Sequence, residues 1–537
     1  MKRWNGWGNP SVDYPLPSVA AETLAMAVGK GRRLTDASLE SVLTSVPASR
    51  LPHHALISIQ AKDRLRHARG QSLPDWIALR SGRVAAFPDG VAYPADEEQL
   101  QELIHLADHQ RLQFIPYGGG TSVVGHINPL PSDRPVLTVD LREFNQLLKM
   151  DESSHLATFQ AGVTGPALEA ALAQQGYTLG HFPQSWEYST LGGWIATRSS
   201  GQQSYYYGRI EDLFAGGEML SPAGRLSLPP FPASAAGPDL RQWVLGSEGR
   251  LGVITRAQIR IRKLPEVEGF YGAFFPDWES GVKAVRSLAQ SDIPLSLLRL
   301  SDPDETMTTL ALSGKDQLVT WADRGLRLLR YGDQRSLLIY GFTGSRRLVG
   351  LARRRAGGVI RSNGGLPVGS MIGGLWRKSR FHAPYLRNTL WEEGYALDTL
   401  ETALPWSKVK AAAVDIKAAL RDGLMDHGER VLVFAHLSHV YNDGASLYVT
   451  YLYRRSVDPD QTLDHWRRLK AAASCCIVEQ GGTISHQHGV GLDHAPYLVE
   501  EKGVLGIEAL RSAGRVFDPG GVMNPGKLLP AEPTGGV

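Results

Sequence analysis

The chain contains little cysteine, no long apolar run and no recognisable targeting segment. Only two of its 537 residues are cysteines, the adjacent Cys475 and Cys476, so disulfides cannot hold a fold of this size together and we expect a reducing compartment. No run of about 18 apolar residues occurs, which excludes a membrane-spanning helix. The first residues lack the apolar core of a secretory signal, and we therefore expect a cytoplasmic protein.

A large excess of charge of either sign is also missing. Lysine and arginine number 57 against 54 aspartates and glutamates, for a net charge of +3. That balance does not indicate a nucleic-acid-binding protein, and we expect no nucleic-acid partner. The proportions of apolar and charged residues are those of an ordinary globular protein, and the length predicts two large domains or three to four smaller ones.

The residue patterns that are present change along the chain and divide it into four segments. Residues 1–83 predict an N-terminal helical segment, and 84–265 predict short strands interrupted by glycine-rich loops. Residues 266–500 alternate strands with long helices, which predicts an α+β domain with helices on one face of a sheet. Residues 501–537 predict a helix and a Pro/Gly-rich tail. The clearest predicted elements are the helices Ser18–Gly29, Asp96–His109, Gly165–Gly176, Trp406–Gly423 and Thr462–Gln480 and the strands Leu112–Pro116, Val136–Asp140, Leu156–Gln160, Val253–Lys263 and Ser446–Tyr453.

A triple glycine directly after a predicted strand is the first candidate binding loop. Consecutive glycines allow backbone N–H groups to converge on an anion, and hydroxyl side chains that follow can add donors. A pyrophosphate would fit such a loop, although a solvent-exposed turn would have a similar composition. The glycine spacing and the missing lysine exclude a Rossmann fingerprint and a Walker loop. The loop residues are Pro116, Tyr117, Gly118, Gly119, Gly120, Thr121 and Ser122.

Three further stretches rich in small and hydroxyl residues support a binding role for this loop. A long flat ligand threaded between strands and loops needs a backbone that approaches closely. The stretches contain Gln184, Ser185, Trp186, Glu187, Tyr188, Ser189 and Thr190, then Thr197, Arg198, Ser199 and Ser200, and finally Glu248, Gly249, Arg250, Leu251, Gly252, Val253 and Ile254.

In this order and spacing, the four stretches resemble the FAD-binding domain of the vanillyl-alcohol oxidase flavoprotein superfamily. The resemblance covers residues 84–265 and implies a two-domain α+β protein, with a PCMH-type FAD-binding fold and an α+β substrate-binding cap. It also implies that Pro116–Ser122 holds the FAD pyrophosphate and that the other stretches surround the rest of the cofactor. Some members attach FAD covalently through a His in this loop or a Cys elsewhere. Because His126 lies beyond the loop and both cysteines are far away, we expect non-covalent FAD.

Motifs along most of the chain resemble one family, the alkyldihydroxyacetonephosphate synthases. Members exchange the acyl group of acyl-dihydroxyacetone phosphate for a fatty alcohol in ether-lipid synthesis, with flavin N5 as a covalent trap. The motifs that carry the resemblance are Arg3–Gly8, Trp186–Arg198, Tyr207–Leu213, Pro384–Asn388, Glu401–Trp406, Tyr441–Tyr448 and Ser485–Gly491.

The resemblance implies roles for four side chains. Arg387 matches an arginine that binds the substrate, Tyr448 matches the catalytic tyrosine, and His486 and His488 match the outer two histidines of a triplet. The chemistry is compatible, because an arginine can bind a phosphate or carboxylate through two N–H groups. A tyrosine with a lowered pKa can exchange a proton with the substrate, and histidines can assist. Without the resemblance, Tyr448 reads equally well as a packed strand residue.

Two departures from the family keep a second function open. Gln487 replaces the middle histidine and cannot take up a proton near neutral pH. The tail Asp518–Lys527 resembles FAD-linked dehydrogenases of 2-hydroxy acids, which transfer hydride to flavin N5. The alternative is therefore oxidation of a D-2-hydroxy acid such as lactate or glycolate, with Arg387 on the carboxylate and His486 or His488 as the base.

The remaining expectations concern metals and partners. His486, His488 and His494 with Asp493 would suggest a metal site, but Gly489 and Gly491 favour a loop beside a ligand, so we expect no metal. The arginine-rich residues 346–361 could steer an anionic substrate or contact an anionic membrane surface, although a solvated helix face is the simpler interpretation. We expect a small-molecule or lipid phosphate substrate and a homodimer.

Overall fold

The computed structural model describes residues 2–312 and 323–531, which form helices and strands in close agreement with the predicted elements. The helices are α1 Ser18–Val28, α2 Leu39–Thr44, α3 Ala61–Arg66, α4 Leu73–Ser81, α5 Glu97–His109, α6 Gly165–Ala173, α7 Leu191–Thr197, α8 Ser204–Tyr207, α9 Ile210–Leu213, α10 Arg241–Val244, α11 Trp278–Ala289, α12 Pro303–Leu312, α13 Arg346–Ser362, α14 Met371–Ser379, α15 Ala383–Glu392, α16 Trp406–Asp422, α17 Pro459–Glu479 and α18 Leu498–Phe517. The strands are β1 Ile57–Ser58, β2 Gly90–Ala92, β3 Gln113–Tyr117, β4 Val136–Asp140, β5 Leu147–Asp151, β6 Leu156–Gln160, β7 Tyr177–Thr178, β8 Phe214–Ser221, β9 Gly224–Leu228, β10 Val253–Arg260, β11 Arg262–Lys263, β12 Val267–Phe275, β13 Leu297–Ser301, β14 Ser336–Gly344, β15 Leu366–Gly369, β16 Tyr395–Pro405, β17 Leu432–Val440 and β18 Gly444–Arg454.

The first half of the chain builds two main sheets. One has the order β1-β2-β4-β3, in which β2 and β3 run parallel to β4 and β1 is antiparallel to β2. The other is antiparallel with the order β5-β6-β10-β8-β9. Strand β1 comes from the N-terminal segment that the sequence predicts as helical, so this segment also completes a sheet. The triple-glycine loop leaves the carboxyl end of β3.

The second half builds one antiparallel seven-stranded sheet with the order β15-β12-β14-β13-β17-β18-β16. Helices α11, α13, α16 and α17 pack on one face in a single large core. The sequence predicts helices on one face alone, and this is wrong, because α14 packs on the opposite face through Ile372 and Trp376. Side chains alternate along a strand, so neighbours point to opposite faces. In β18, Leu447 and Val449 face the helices, and Tyr448 between them faces the other way. Within the described residues, no helix is both long and apolar enough to cross a lipid bilayer.

Both ends of the chain tie the two halves together. Trp7 exchanges backbone hydrogen bonds with the side chain of Asn388 in α15, at 3.0 and 3.1 Å. At the other end, Phe114 in β3 donates to the carbonyl of Val522 and accepts from Asn524, at 2.8 Å each. The N-terminal segment and the tail therefore contribute to the region where the two halves meet.

Candidate active site

A cavity of about 340 Å³ lies between the two halves of the molecule and brings most of the predicted site residues together. All seven residues of the loop Pro116–Ser122 line it, as do Arg387, Tyr448 and His488 from the second half. The other predicted cofactor residues that line it are Gln184, Ser185, Ser189, Thr190, Thr197, Ser199, Ser200, Glu248, Gly249, Gly252, Val253 and Ile254. The predicted residues that do not line it are Trp186, Glu187, Tyr188, Arg198, Arg250, Leu251 and His486.

The triple-glycine loop has the geometry of an anion site. The five backbone N–H groups from Gly118 to Ser122 have no acceptor anywhere in the described chain. Gly120 has a φ of 69°, and a Cβ on Gly119 would lie 1.9 Å from the carbonyl oxygen of Tyr188. A side chain at position 119 is therefore incompatible with the packing that holds the loop open. Unpaired N–H groups around a cavity are what a phosphate or pyrophosphate requires.

Two buried histidines hold the hydroxyl groups beside this loop. His181 contacts the Ser199 hydroxyl at 2.9 Å, and Nδ1 of His439 contacts the Ser200 hydroxyl at 3.0 Å. Burial lowers the pKa of each imidazole to about 3, and the nearby Arg209 lowers it further. Both histidines are therefore neutral at physiological pH and fix the orientation of the two serine hydroxyls without adding charge to the cavity.

Arg387 offers unused hydrogen-bond donors to the cavity. Its Nη1 donates to the carbonyl of Gln71 at 2.6 Å, and its guanidinium carbon lies 4.4 Å from the ring centre of Trp76. Nε and Nη2 are buried and have no partner in the described part of the chain. Burial lowers the pKa of Arg387, although it remains a cation at neutral pH. A buried cation with two free N–H groups is suited to an anionic oxygen pair.

Tyr448 does not have the lowered pKa that the sequence interpretation required for its proton chemistry. Its hydroxyl lies 3.1 Å from the hydroxyl of Thr399 on β16, to which it donates. Burial raises the pKa of Tyr448, and the carboxylates of Glu401 and Asp398 raise it further. Together these three effects outweigh the lowering of the pKa by Arg387. Tyr448 is thus a neutral phenol in this structure and can donate a proton.

Glu401 anchors the loop that carries His488. This fully buried carboxylate accepts from the backbone N–H groups of Gln487 and His488, at 2.6 and 2.7 Å. The His488 ring contacts the edge of the Tyr448 ring, with 5.7 Å between the ring centres. Burial lowers the pKa of His488 despite the nearby Glu401, so the imidazole is neutral and can accept a proton. The cavity wall therefore presents both a neutral phenol, Tyr448, and a neutral imidazole, His488.

His486 lies on the other side of this loop. It is 4% exposed, and its Nε2 contacts the hydroxyl of Tyr441 at 2.6 Å and Nη1 of Arg209 at 3.0 Å. His494 contacts the carbonyl of Gly489 through Nδ1 at 2.8 Å. Because His486 and His488 line different pockets, the histidines do not converge on one point.

Several cavity residues carried no signal of function in the sequence. Gln71 and Trp76 come from the N-terminal segment, and Asp398 and Thr399 come from β16. Asn524 also lines the cavity and belongs to the tail motif Asp518–Lys527, which the sequence interpretation noted without giving this residue a role. Trp7 also lines the cavity and belongs to the opening motif Arg3–Gly8 that the sequence interpretation noted without giving it a role. The carboxylate of Glu248, which was predicted, binds the N–H groups of Val490 and Gly491 at 2.5 and 2.8 Å.

Comparisons with known proteins match this arrangement over both halves. A model of the FAD binding domain matches residues 88–227, and a model of the C-terminal domain of FAD linked oxidases matches residues 264–528. The alkyldihydroxyacetonephosphate synthase of Dictyostelium discoideum is 33% identical over 87% of this chain and 77% of its own length. That of Trypanosoma brucei brucei is 30% identical over 89% and 79%. The chain belongs to the alkyldihydroxyacetonephosphate synthase family.

Solved structures support the same assignment. An alkyldihydroxyacetonephosphate synthase structure is similar over 98% of both chains, with a TM-score of 0.82 and 27% identity. The structure of p-cresol methylhydroxylase with substrate bound covers 88% of this chain and 93% of its own, with a TM-score of 0.67 and 15% identity, which shows a shared fold alone. The predicted α+β, PCMH-type FAD-binding fold is therefore confirmed, and so is FAD as the cofactor.

The residues present fit FAD. The five free N–H groups of Gly118–Ser122 would hold the pyrophosphate, and the fixed hydroxyls of Ser199 and Ser200 supply donors beside them. A probable mitochondrial D-lactate dehydrogenase of Danio rerio is 25% identical over 96% of this chain, below the members of the synthase family. The dehydrogenase alternative has weaker support than the synthase assignment.

Proposed function

We propose that the protein exchanges the acyl group of an acyl-dihydroxyacetone phosphate for a fatty alcohol, as an FAD-dependent alkylglycerone-phosphate synthase. The family supports this reaction. The observation that carries it is the buried Arg387 guanidinium, whose unpaired Nε and Nη2 share one cavity with Tyr448, His488 and the predicted pyrophosphate loop. A phosphate-bearing substrate would satisfy both N–H groups at once.

The chain's own residues supply binding and proton transfer. Arg387 holds the substrate phosphate, and stacking on Trp76 fixes the direction of its free N–H groups. Neutral His488 takes up the proton that the substrate carbon loses, and the neutral Tyr448 hydroxyl donates one. Bound FAD, held non-covalently, supplies an electron-accepting ring system beside the substrate. His486 then acts indirectly, by holding the loop through Tyr441 and Arg209.

The decisive test is an exchange assay with the yellow holoprotein. Acyl-dihydroxyacetone phosphate labelled in the acyl chain is mixed with hexadecanol under anaerobic conditions. We expect labelled free fatty acid and unlabelled alkyl product in equal amounts, with no lasting loss of flavin absorbance. Released acid without alkyl product would instead indicate a hydrolase and contradict the proposal.

A parallel anaerobic arm tests the dehydrogenase alternative. D-lactate, glycolate and related 2-hydroxy acids are added to the same protein without an electron acceptor. A synthase should keep its oxidised flavin spectrum with all of them. Lasting bleaching by one acid, together with no acyl exchange, would show that the protein is a dehydrogenase of that acid and would contradict the proposal.

Peripheral membrane contact and a homodimer also remain part of the proposal. Helix α13 packs one side into the cap core and exposes arginines together with Leu348 and Leu351, which are 57% and 50% exposed. A surface of exposed cations and apolar side chains is suited to an anionic lipid surface. Salt-sensitive co-sedimentation with phosphatidylserine vesicles tests the contact, and sedimentation velocity tests the dimer.

A further inference from the structure

The first residues of the chain connect the triple-glycine loop with helix α15. Near the start of the chain, the Lys2 ammonium donates to the Gly119 carbonyl of the loop at 2.9 Å. Five residues further on, Trp7 lines the active-site cavity and is hydrogen-bonded through its backbone to the side chain of Asn388 on α15. Trp7 therefore lies at the end of this segment that meets the second half of the molecule.

The indole N–H of Trp7 has no acceptor. Trp7 is 7% exposed, and its Nε1 is buried with no hydrogen-bond partner in the part of the chain that the structure describes. Buried N–H groups are normally paired, because an unpaired one loses the hydrogen bond that water supplies in the unfolded chain. Since Trp7 lines the active-site cavity, an unpaired donor at this position indicates a ligand atom that accepts from it.

The contacts around Trp7 fix the position of the indole. The side chain of Asn388 bonds both the N–H and the carbonyl of Trp7, and the Tyr188 ring packs edge-on against the indole with 5.6 Å between the ring centres. The backbone comes this close only because glycine lies on either side of Trp7. A Cβ on Gly6 would lie 2.5 Å from Oδ1 of Asn388, and Gly8 has a φ of 73°. The indole is therefore held in place before a ligand binds.

Trp7 and Arg387 are close together because they share two neighbours. Asn388, which holds Trp7, is the residue that follows Arg387 on α15. The carbonyl of Gln71 accepts from Nη1 of Arg387 at 2.6 Å, and the side-chain amide of Gln71 lies 3.5 Å from the carbonyl of Gly6. The unpaired indole N–H and the unpaired Nε and Nη2 of Arg387 therefore lie in the same region of the cavity wall.

The number of donors in this region distinguishes two kinds of anion. A carboxylate has two oxygens, and the two unpaired N–H groups of Arg387 can satisfy both. A phosphate monoester has three terminal oxygens, so Arg387 alone leaves one of them without a donor. The indole N–H supplies a third donor, and because it is neutral it adds a hydrogen bond without adding charge.

We propose that the indole N–H of Trp7 donates to the third terminal oxygen of the substrate phosphate and makes the site selective for a phosphate over a carboxylate. This inference rests on the proposed function, in which Arg387 binds the same phosphate. Trp7 is then a substrate-binding residue that the N-terminal segment contributes. The 2-hydroxy acids of the dehydrogenase alternative would leave its N–H unpaired.

Calorimetric binding of two related ligands to the FAD-loaded protein tests this role without turnover. Hexadecyl-dihydroxyacetone phosphate, the product of the exchange, carries the phosphate, and hexadecyl-dihydroxyacetone lacks it. Trp7→Phe should weaken binding of the phosphorylated ligand about tenfold, the loss of one charge-assisted hydrogen bond, and leave binding of the other unchanged. The matched control is Trp278→Phe, which changes a half-buried tryptophan at the start of α11 outside the cavity and should alter neither affinity.

A second variant keeps the test decisive if Trp7→Phe does not fold. Incorporation of 3-benzothienylalanine at position 7 keeps the bicyclic ring and replaces its N–H with sulfur, so the phosphorylated ligand should be weakened by a similar factor. Unchanged affinity for both ligands, or equal weakening of both, would overturn the role of Trp7. A loss of bound FAD in the folded variant would also overturn it, because the indole would then contact the cofactor.

The same measurements separate this inference from the proposed function. Selective weakening of the phosphorylated ligand, in a protein whose parent performs no acyl exchange, would keep Trp7 as a phosphate donor and reject the synthase reaction. Acyl exchange by the parent, together with equal affinities in the parent and the variants at position 7, would keep the reaction and reject the role of Trp7.

Discussion

The two walls of the cavity present different kinds of hydrogen-bonding group to a ligand. The wall from the first half presents backbone N–H groups of five consecutive residues, Gly118–Ser122, with hydroxyls fixed by neutral histidines. The wall from the second half presents the side chains of Arg387, Tyr448 and His488, which come from three separate elements. A backbone wall depends on glycine and on loop shape, whereas a side-chain wall depends on charge and protonation. Substitutions on the backbone wall should therefore act through loop shape, whereas substitutions on the side-chain wall should act through charge and protonation.

Tyr448→Phe should give the largest effect and should leave the backbone wall intact. Removal of the hydroxyl removes a proton donor, and general acid–base groups typically contribute about 100-fold or more to turnover. We expect acyl-exchange turnover to fall by roughly that factor while the flavin content is unchanged. Tyr331→Phe, which removes a hydroxyl bonded to the Gly364 carbonyl outside the cavity, should keep full turnover. Normal exchange by Tyr448→Phe would refute the acid–base role.

Arg387→Lys should affect substrate binding more than turnover. Lysine keeps the charge but loses the planar pair of N–H groups and the stacking on Trp76. We expect kcat/KM for acyl-dihydroxyacetone phosphate to fall about 100-fold, in line with the loss of a buried charge-assisted contact. The control is Arg347→Lys on the exposed side of α13. If KM were unchanged and only kcat fell, Arg387 would act on the chemistry and not on the phosphate.

Gly119→Ala should weaken FAD binding by the backbone wall. It should leave the chemistry of the side-chain wall unchanged. The new Cβ would lie 1.9 Å from the Tyr188 carbonyl oxygen, so the loop or its neighbour must move. Overpacking of this kind costs about 1–3 kcal/mol, and if the loop bears this cost in the FAD-bound state, FAD binding weakens by roughly 5- to 150-fold. Equilibrium dialysis of FAD measures the change.

Gly358→Ala is the matched control for that loop variant. Gly358 is an exposed helical position on α13, and an added Cβ would meet nothing within 4 Å. It should bind FAD normally and unfold at slightly higher temperature, since alanine favours a helix. Equal FAD affinity in Gly119→Ala and Gly358→Ala would mean that the loop does not hold the cofactor.

The contrast also explains what the sequence made predictable. The strands Val136–Asp140 and Leu156–Gln160 were predicted with the bounds that the structure has, because their apolar runs end at glycine or polar residues. The candidate pyrophosphate loop was visible in the sequence because all its residues are consecutive, and its binding role stays a prediction. The contacts of His181 and His439 with Ser199 and Ser200 were not predictable, since single histidines in apolar surroundings carry no pattern.

The contacts of the side-chain wall could not be predicted from the sequence, because no local pattern contains the information that they depend on. Tyr448 lies opposite Glu401 on β16, and its hydroxyl reaches Thr399 two residues along that strand, so the contact depends on a register that is a tertiary property. Trp76 reaches Arg387 only because the N-terminal segment packs against the cap. The pKa of Tyr448 was expected in the wrong direction, because sequence does not reveal how strongly burial and two carboxylates act on one hydroxyl.

Asp493 lies outside both cavity walls, and it offers a test of stability in place of activity. Its Oδ2 is buried without a partner in the described chain, and burial raises its pKa from 3.8 to about 7, although Lys470 opposes the shift. The folded state therefore binds the proton more tightly than the unfolded state, so stability is lost as pH rises from about 4 to 7.

Asp493→Asn should remove that pH dependence. Above pH 7 the variant should gain unfolding free energy, on the order of 2–4 kcal/mol, while near pH 4 it should match the parent. Urea unfolding at several pH values measures the difference. Asp464→Asn on the exposed side of α17 should stay within about 0.5 kcal/mol of the parent at every pH. A constant gain at all pH values would show that asparagine improves local packing and that the charge of Asp493 does not destabilise the folded protein.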